Sequence, residues 1–474
     1  MSKRRYDSKG GLLKGSIIYG IGNIGTLVIN FFLVPLYTFY LTNDELGYFD
    51  LVASSIIILS PIFFGHIELA VIRWLLASEK VLVKTRVVSN CCFIFICGSL
   101  IFTALFLLIN YFVTFELAYF IYLYLISNFF YIIAKQVIRS VYSAKHYIFS
   151  ELFYTLLVLI ITLFLVEKYS LKAIFFAYLI ASIVLLGYLL GLRIFKYFKL
   201  RAISRKLTFE LLAYSSPLVL NTLSLWLNNQ SGKYLIATYL TLSSNGIYAI
   251  AFKIAYVIQI LNRIFYLSFQ DKIFRVYKNE GFSEYFSETL EKYCSIIFSL
   301  WFLMIGSQKL VLPFIIEHEF LGAVNYIPYL GLGVVFMSLS SVLGIIYQCE
   351  KKNINAFKTS MVSGITIVLM SLIFIPYFGL YGAVVSFTVG NLIWLVYRFK
   401  DVQKFTSISI RLEKIVMYIV LGLILTIITI NHNPLNLILG SVLAIAISIY
   451  CNHHLIKSNF NVLISKLKSG TKRK

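Results

Sequence analysis

The strongest constraint on this chain is a succession of continuous apolar runs, most of about twenty residues or more, joined by short polar connections. Coiled as a helix, a run of that length crosses the ~30 Å hydrocarbon core of a bilayer. A transmembrane barrel would alternate polar and apolar residues instead. Only 13% of the residues are charged, against about 25% in a soluble domain, and 59% are hydrophobic. The chain therefore reads as an all-α polytopic membrane protein. Fourteen spans are expected, at about 12–41, 46–77, 87–112, 117–143, 150–166, 171–195, 210–240, 245–270, 293–316, 326–349, 355–376, 379–399, 414–431 and 434–456. The first run follows MSKRRYDSKGG and carries no short apolar core with a small-residue cleavage site. It reads as a retained span, not a signal peptide.

A formal charge of +22 would suit nucleic acid, but its placement gives it another meaning. Lysine and arginine gather in the N-terminus, in alternate connections such as Lys80–Arg86, Arg193–Lys206, Lys272–Lys292 and Arg398–Lys414, and in the tail from Lys457. Thirty-four of the 42 fall on that side, while the opposite connections hold only Lys168 and Lys172. The positive-inside rule then puts both termini in the cytoplasm. Anionic lipids are the natural partner of the basic face, and nucleic acid has no part. Six cysteines (Cys91, Cys92, Cys97, Cys294, Cys349 and Cys451) lie in or beside apolar stretches without ligand spacing. They read as packing residues, with no metal or cofactor implied.

The basic segment Arg193–Lys206 divides the chain. Tyr40, Leu41, Thr42 and Gly47 match Tyr239, Leu240, Thr241 and Gly246 at a constant offset of 199 residues, as Ser16 and Asn30 match Ser215 and Asn229. Further on, LKAI at 171–174 is answered by LYGA at 380–383. Six spans return the chain to its starting side, so the repeat is parallel. The expected organisation is an N-lobe over 1–200 (spans 1–6), a C-lobe over 201–400 (spans 7–12), and a C-terminal hairpin with a basic tail over 401–474. No outside connection exceeds about ten residues, and the longest inside loop, Asp271–Lys292, has no nucleotide signature. That leaves no room for a soluble catalytic domain.

Several spans carry polar stripes. Ser16, Tyr19, Asn23, Thr26 and Asn30 recur at spacings of three and four, which is one face of a helix and has no place against lipid. Asn128, Tyr131, Lys135 and Arg139 do the same in span 4. In span 7 the stripe is Ser215, Thr222, Asn229 and Lys233, with Asn221 and Asn228 beside it. Lys253, Tyr256 and Arg263 of span 8 lie within roughly 80° of arc. Ionisable groups at depth are costly and point to function by default. Lys135, Lys233 and Lys253, at middle depth, read as lining a wet cavity; Arg139 and Lys309 read as snorkelling; Arg73 and Arg263 fit either role. Asp50 and Glu68 in span 2 are eighteen residues apart, five whole turns of an unkinked helix, although Pro61 is expected to bend it. They either neutralise a neighbouring cation or couple to H+ or Na+. The histidines fall mostly near span ends, and none is assigned a proton relay. The embedded charge stays positive, which suits an anionic, phosphate-bearing substrate.

YGIGNIG, VPLYTFYLTNDELGYFDL and PIFFGHIELAVIRWL, with IPYFGLYGAVVSFTVGN near span 12, resemble the bacterial polysaccharide repeat-unit exporters known as O-antigen flippases. These belong to the multidrug/oligosaccharidyl-lipid/polysaccharide exporter superfamily. The likeness covers most of residues 10–400. It implies two six-helix lobes around a cationic cavity that opens alternately to each face. It also implies an undecaprenyl-pyrophosphate-linked oligosaccharide as cargo in a bacterial inner membrane, with a polysaccharide polymerase and a chain-length regulator as partners. What carries over residue by residue is the arginine ending span 2, here Arg73. The extra hairpin resembles that of lipid II flippases, whose last two helices border a lipid-binding groove. On this reading Lys135, Lys233, Lys253, Arg263 and Arg73 neutralise the pyrophosphate. Asn23, Asn30, Asn128, Tyr131, Asn221, Asn228, Asn229 and Tyr256 hydrogen-bond sugars, and Asp50 or Glu68 couples to an ion gradient. No covalent chemistry is needed. A cation-coupled drug exporter should carry more cavity carboxylates than cations, and a membrane polymerase or ligase should carry outside loops bearing Arg or His. A scaffold without transport has no use for charges buried in several helices.

Overall fold

A computed structural model describes residues 25–470, apart from 27, 77–79, 115, 143, 431 and 432. Among these, every regular element is helical. In chain order they are α1 (Val28–Tyr40), α2 (Asn43–Phe64), α3 (Ile67–Leu76), α4 (Val81–Phe112), α5 (Ala118–Val141), α6 (Ala144–Tyr169) and α7 (Leu171–Gly191). Then come α8 (Arg205–Asn229), α9 (Ser231–Tyr239), α10 (Leu242–Ala255), α11 (Val257–Val276), α12 (Phe282–Val311), α13 (Ile327–Leu343) and α14 (Ile345–Cys349). The last four are α15 (Asn353–Phe378), α16 (Leu380–Val402), α17 (Leu412–Ile430) and α18 (Pro434–Gly470). Twelve segments among the described residues are long and apolar enough to cross a membrane. The other two expected spans fall on α1 and on α8–α9. Ser16, Tyr19 and Asn23 lie outside the described residues, and Asn221, Asn228, Asn229 and Lys233 dilute the hydropathy of α8–α9.

The chain forms two compact units, residues 1–226 and 227–474. In the first, the Thr42 hydroxyl accepts the Glu45 amide at 3.2 Å while the Glu45 carboxylate accepts the Thr42 amide at 3.1 Å. That capping box starts α2 and explains why YLTNDELG separates two helices. The core is aromatic: Phe49 meets Tyr37, Tyr124 and Phe175 at 5.5–6.1 Å between ring centroids. Gly98 lets α4 close on α2, since a Cβ there would stand 2.5 Å from the Phe63 carbonyl.

Span 2 is not one helix. The Gly65 amide closes on the Pro61 carbonyl at 2.8 Å, Gly65 (φ 60°) and His66 (φ 55°) are both left-handed, and α3 starts afresh at Ile67. The break falls after Pro61, not at it, and Asp50 and Glu68 lack the five-turn alignment that an unkinked helix would give them. Span 7 is likewise interrupted, at Gln230 (φ −121°, ψ −26°), so its stripe does not run on one continuous helix. Tyr256, between α10 and α11, keeps right-handed helical angles (φ −70°, ψ −10°). Most of α8 lies with the first unit: Tyr214 stacks edge-on against Trp74 at 5.2 Å, and Trp226 Nε1 donates to the Ser54 carbonyl at 3.2 Å. The boundary between the compact units accordingly falls at 226, inside α8.

In the second unit the Thr241 hydroxyl caps α10 by accepting the Ser244 amide at 3.0 Å, 199 residues after Thr42 caps α2. Farther along the offset is 209: α6 and α15 start and end in register, and Ser170 (φ 46°, ψ −128°) and Gly379 (φ 58°, ψ −139°) hold the same unusual backbone before α7 and α16. The offset grows across two 3₁₀ turns, Leu312–Phe314 and His318–Asn325. The expected inside loop Asp271–Lys292 is mostly helix, with only 277–281 between α11 and α12.

Candidate functional site

The break between α2 and α3 builds the first cluster. Glu68, in the opening turn of α3, is 7% exposed. His66 Nδ1 lies 2.6 Å from Glu68 Oε1, and its Nε2 lies 2.6 Å from Thr222 Oγ1 on α8. A neutral ring donates to the carboxylate and accepts from the hydroxyl; a protonated ring donates to both, and the threonine must turn. Glu68 Oε2 has no hydrogen-bond partner among the described residues. Sequence reasoning gave His66 no role because it counted the histidines as span-end groups. The signal was available: Gly65-His66 follows Pro61 inside an apolar run, two residues before a carboxylate. Asp50 is also buried, at 5% exposure, but belongs to α2.

A second cluster joins α5 and α6. Lys135 Nζ lies 3.5 Å from Glu151 Oε1 and 4.9 Å from the Tyr131 ring centre, and Tyr131 stacks on Tyr154 at 3.8 Å. Glu151 went unnamed at the level of sequence. Yet Lys135 stands seven residues before Tyr142 and Glu151 seven after Ala144, so an antiparallel hairpin brings them to one depth. Asn128 is buried, and its amide donates to the Tyr124 carbonyl of its own helix at 2.8 Å. Arg73 is exposed at the end of α3, its guanidinium 4.4 Å from the Tyr214 ring centre. Asn30 is exposed on α1.

In the second unit Lys233 is 5% exposed on α9, with Nζ 5.4 Å from the Phe252 ring centre. Lys253 and Tyr256 are half-buried at the end of α10, and Arg263 is exposed on α11. Asn221 is exposed and Asn229 half-buried. Asn228 turns inward: it donates to the Ser360 carbonyl at 2.8 Å and accepts from the Ser363 hydroxyl at 2.6 Å, tying α8 to α15. Arg398, counted by sequence among the loop cations, is 4% exposed. Lys309, expected to snorkel, donates to the Ile430 carbonyl at 2.7 Å and so caps α17.

A family model described as polysaccharide biosynthesis protein matches residues 12–266, more than half of the chain. The chain belongs to that family. No curated protein matches it. The fold of this polysaccharide biosynthesis protein is similar to that of a lipid II flippase, MurJ, in an inward closed conformation. The TM-score is 0.66 at 14% identity, covering 94% of this chain and 100% of that one. It is also similar to an inward-facing multidrug resistance transporter of the MATE family, MOP superfamily (TM-score 0.61, 14% identity, 81% and 96% covered). The MATE multidrug transporter DinF-BH is a third (TM-score 0.54, 16% identity, 85% and 98% covered). At these identities the likeness is one of fold. With twelve membrane-length apolar helices among its described residues, the protein is a multi-pass membrane protein of the transporter fold.

Proposed function

We propose that this polysaccharide biosynthesis protein is a flippase for an undecaprenyl-pyrophosphate-linked oligosaccharide repeat unit of O-antigen or capsule type. It works by alternating access in the bacterial inner membrane, with both termini cytoplasmic. The observation that carries the reading is a lysine withdrawn from solvent in each unit of a chain of this family: Lys135 beside Glu151, half-buried, and Lys233 at 5% exposure. Lys135, Lys233 and Lys253 neutralise the diphosphate, with Arg73 and Arg263 contributing nearer the ends of their helices. A diphosphate offers the Lys135 ammonium more negative charge than the single carboxylate of Glu151 does. The polyprenyl tail stays in lipid. His66, Glu68 and Thr222 form the proton-coupling group, with Asp50 as a second acid. A polymerase and a chain-length regulator act on the product.

A cation-coupled multidrug exporter is the second reading. Glu151, added to Asp50 and Glu68, narrows the excess of cations over carboxylates on which the first reading rests, without reversing it.

Surface polysaccharide in cells carrying Lys135→Ala, Lys233→Ala or Lys253→Ala tests the first reading. Export should fall by about tenfold or more in each, the equivalent of one lost charge-assisted hydrogen bond, with membrane insertion unchanged. Wild-type export in all three and in the triple variant would overturn it.

A further inference from the structure

The basic segment between the repeats is a built surface, not a tether. Ser89 and Asn90 of α4, both fully buried, hold it in place. The Ser89 hydroxyl donates to the Tyr197 carbonyl at 3.2 Å and accepts from the Lys199 amide at 2.9 Å. The Asn90 amide donates to the Ala202 carbonyl at 3.1 Å, and its oxygen accepts from the Ser204 amide (2.9 Å) and the Thr208 hydroxyl (2.8 Å). A buried amide satisfied on both sides fixes the turn in one position.

Between this turn, the end of α3 and the first turns of α4 and α8 lies an open pocket of about 500 Å³. Arg86, Arg201 and Lys206 line it, Trp74 forms a flat wall, and Glu210 is the one acid in its lining. None of the three cations has a carboxylate within ion-pair distance among the described residues. Leu200 and Phe209, next in sequence to the lining residues Arg201 and Glu210, are 73% and 72% exposed. Large apolar side chains interleaved with Lys and Arg place a surface at the headgroup level of a bilayer.

We infer that this pocket binds the phosphate of a lipid headgroup. Arg86 and Arg201 offer forked donors to phosphate oxygens, and Lys206 adds a point charge. The apolar chains of the lipid would follow Leu200 and Phe209 into the hydrocarbon. A soluble phosphate has no use for those two anchors, and the basic side of a membrane protein is where anionic lipid concentrates. The assignment does not rest on the flippase reading, since a phospholipid of the surrounding leaflet carries the same chemistry.

The test uses the full-length protein, delipidated in detergent and mixed with phosphatidylglycerol, undecaprenyl diphosphate, phosphatidylcholine or inorganic pyrophosphate, with retention read by native mass spectrometry. The two anionic lipids should be retained and phosphatidylcholine should not. Stronger retention of the polyprenyl diphosphate assigns the pocket to cargo-type lipid, and equal retention assigns it to the leaflet; both support a headgroup site. Arg86→Gln/Arg201→Gln/Lys206→Gln should weaken retention about fivefold per cation removed. An equal loss of charge on the same segment outside the pocket, Lys196→Gln/Lys199→Gln/Arg205→Gln, should change it little. Arg201→Gln alone, on an exposed turn, gives the same reading if the triple variant fails to fold. Phosphatidylcholine retained as well as phosphatidylglycerol, displacement by pyrophosphate at equal concentration, or an equal loss in the control triple would overturn the inference.

Discussion

A histidine with positive φ costs about 1–2 kcal/mol relative to an ordinary helical conformation, a cost that asparagine meets comfortably. His66 sits at φ 55° with both ring nitrogens engaged at 2.6 Å, by Glu68 on one side and Thr222 on the other. His66→Asn therefore separates backbone from chemistry: the break between α2 and α3 should survive while the titratable ring is lost. Transport into proteoliposomes under an imposed proton gradient should lose its response to that gradient in His66→Asn and in Glu68→Gln, with normal yield of folded protein. Thr222→Val removes a neutral partner worth about 1 kcal/mol and should only weaken the response. A wild-type response in both His66→Asn and Glu68→Gln would move the coupling elsewhere, Asp50 first. The sequence showed the embedded cations and Glu68 but not what meets them. Lys135 was visible as a charge at depth, and its partner Glu151 became visible only once α5 and α6 were paired about a common turn.

Elements show the same division between what neighbours along the chain determine and what tertiary contacts determine. The start of α2 was readable because a capping box involves four consecutive residues, Thr42 to Glu45. The interruption at Gln230 was not, and neither were the contacts that tie together helices distant in sequence. Arg398 on α16 is the clearest such case. Its Nε and Nη2 donate to the Thr359 hydroxyl at 2.9 and 2.7 Å, Nη2 also reaches the Ala356 carbonyl at 2.8 Å, and Nη1 reaches the Ser340 carbonyl at 3.1 Å. One guanidinium thereby joins α13, α15 and α16, which composition alone assigned to a solvated end. Arg398→Ala strands these buried acceptors and should cost about 3 kcal/mol, read as a lower unfolding temperature in detergent. Arg398→Lys should recover only part of the loss, since an ammonium cannot serve all three sites in the planar geometry.

At the scale of the whole chain, the repeat accounts for α2–α7 and α10–α16 through shared caps and shared backbone angles, and leaves α17 and α18 without counterparts. They are nevertheless built into the second unit. Ser441 donates to the Gly306 carbonyl at 2.7 Å, Asn452 donates to the Ser299 hydroxyl at 2.7 Å, and Ser448 reaches the Ser299 carbonyl at 3.3 Å, all along α12. Gly306 makes the approach possible: a Cβ there would stand 2.7 Å from the Ala444 Cβ and 3.1 Å from the Gly440 carbonyl. Helices in lipid gain little from burying apolar surface and associate through such small-residue contacts and the hydrogen bonds they permit. If the hairpin completes the unit, Gly306→Leu must push α18 away and forfeit those hydrogen bonds. The unfolding temperature in detergent should drop, by the equivalent of about 1–3 kcal/mol of overpacking, and Gly306→Ala should lie between the two. An unchanged unfolding temperature for Gly306→Leu would mean that α17 and α18 are appended to a unit that is stable without them, and deletion of 404–474 would then leave it folded.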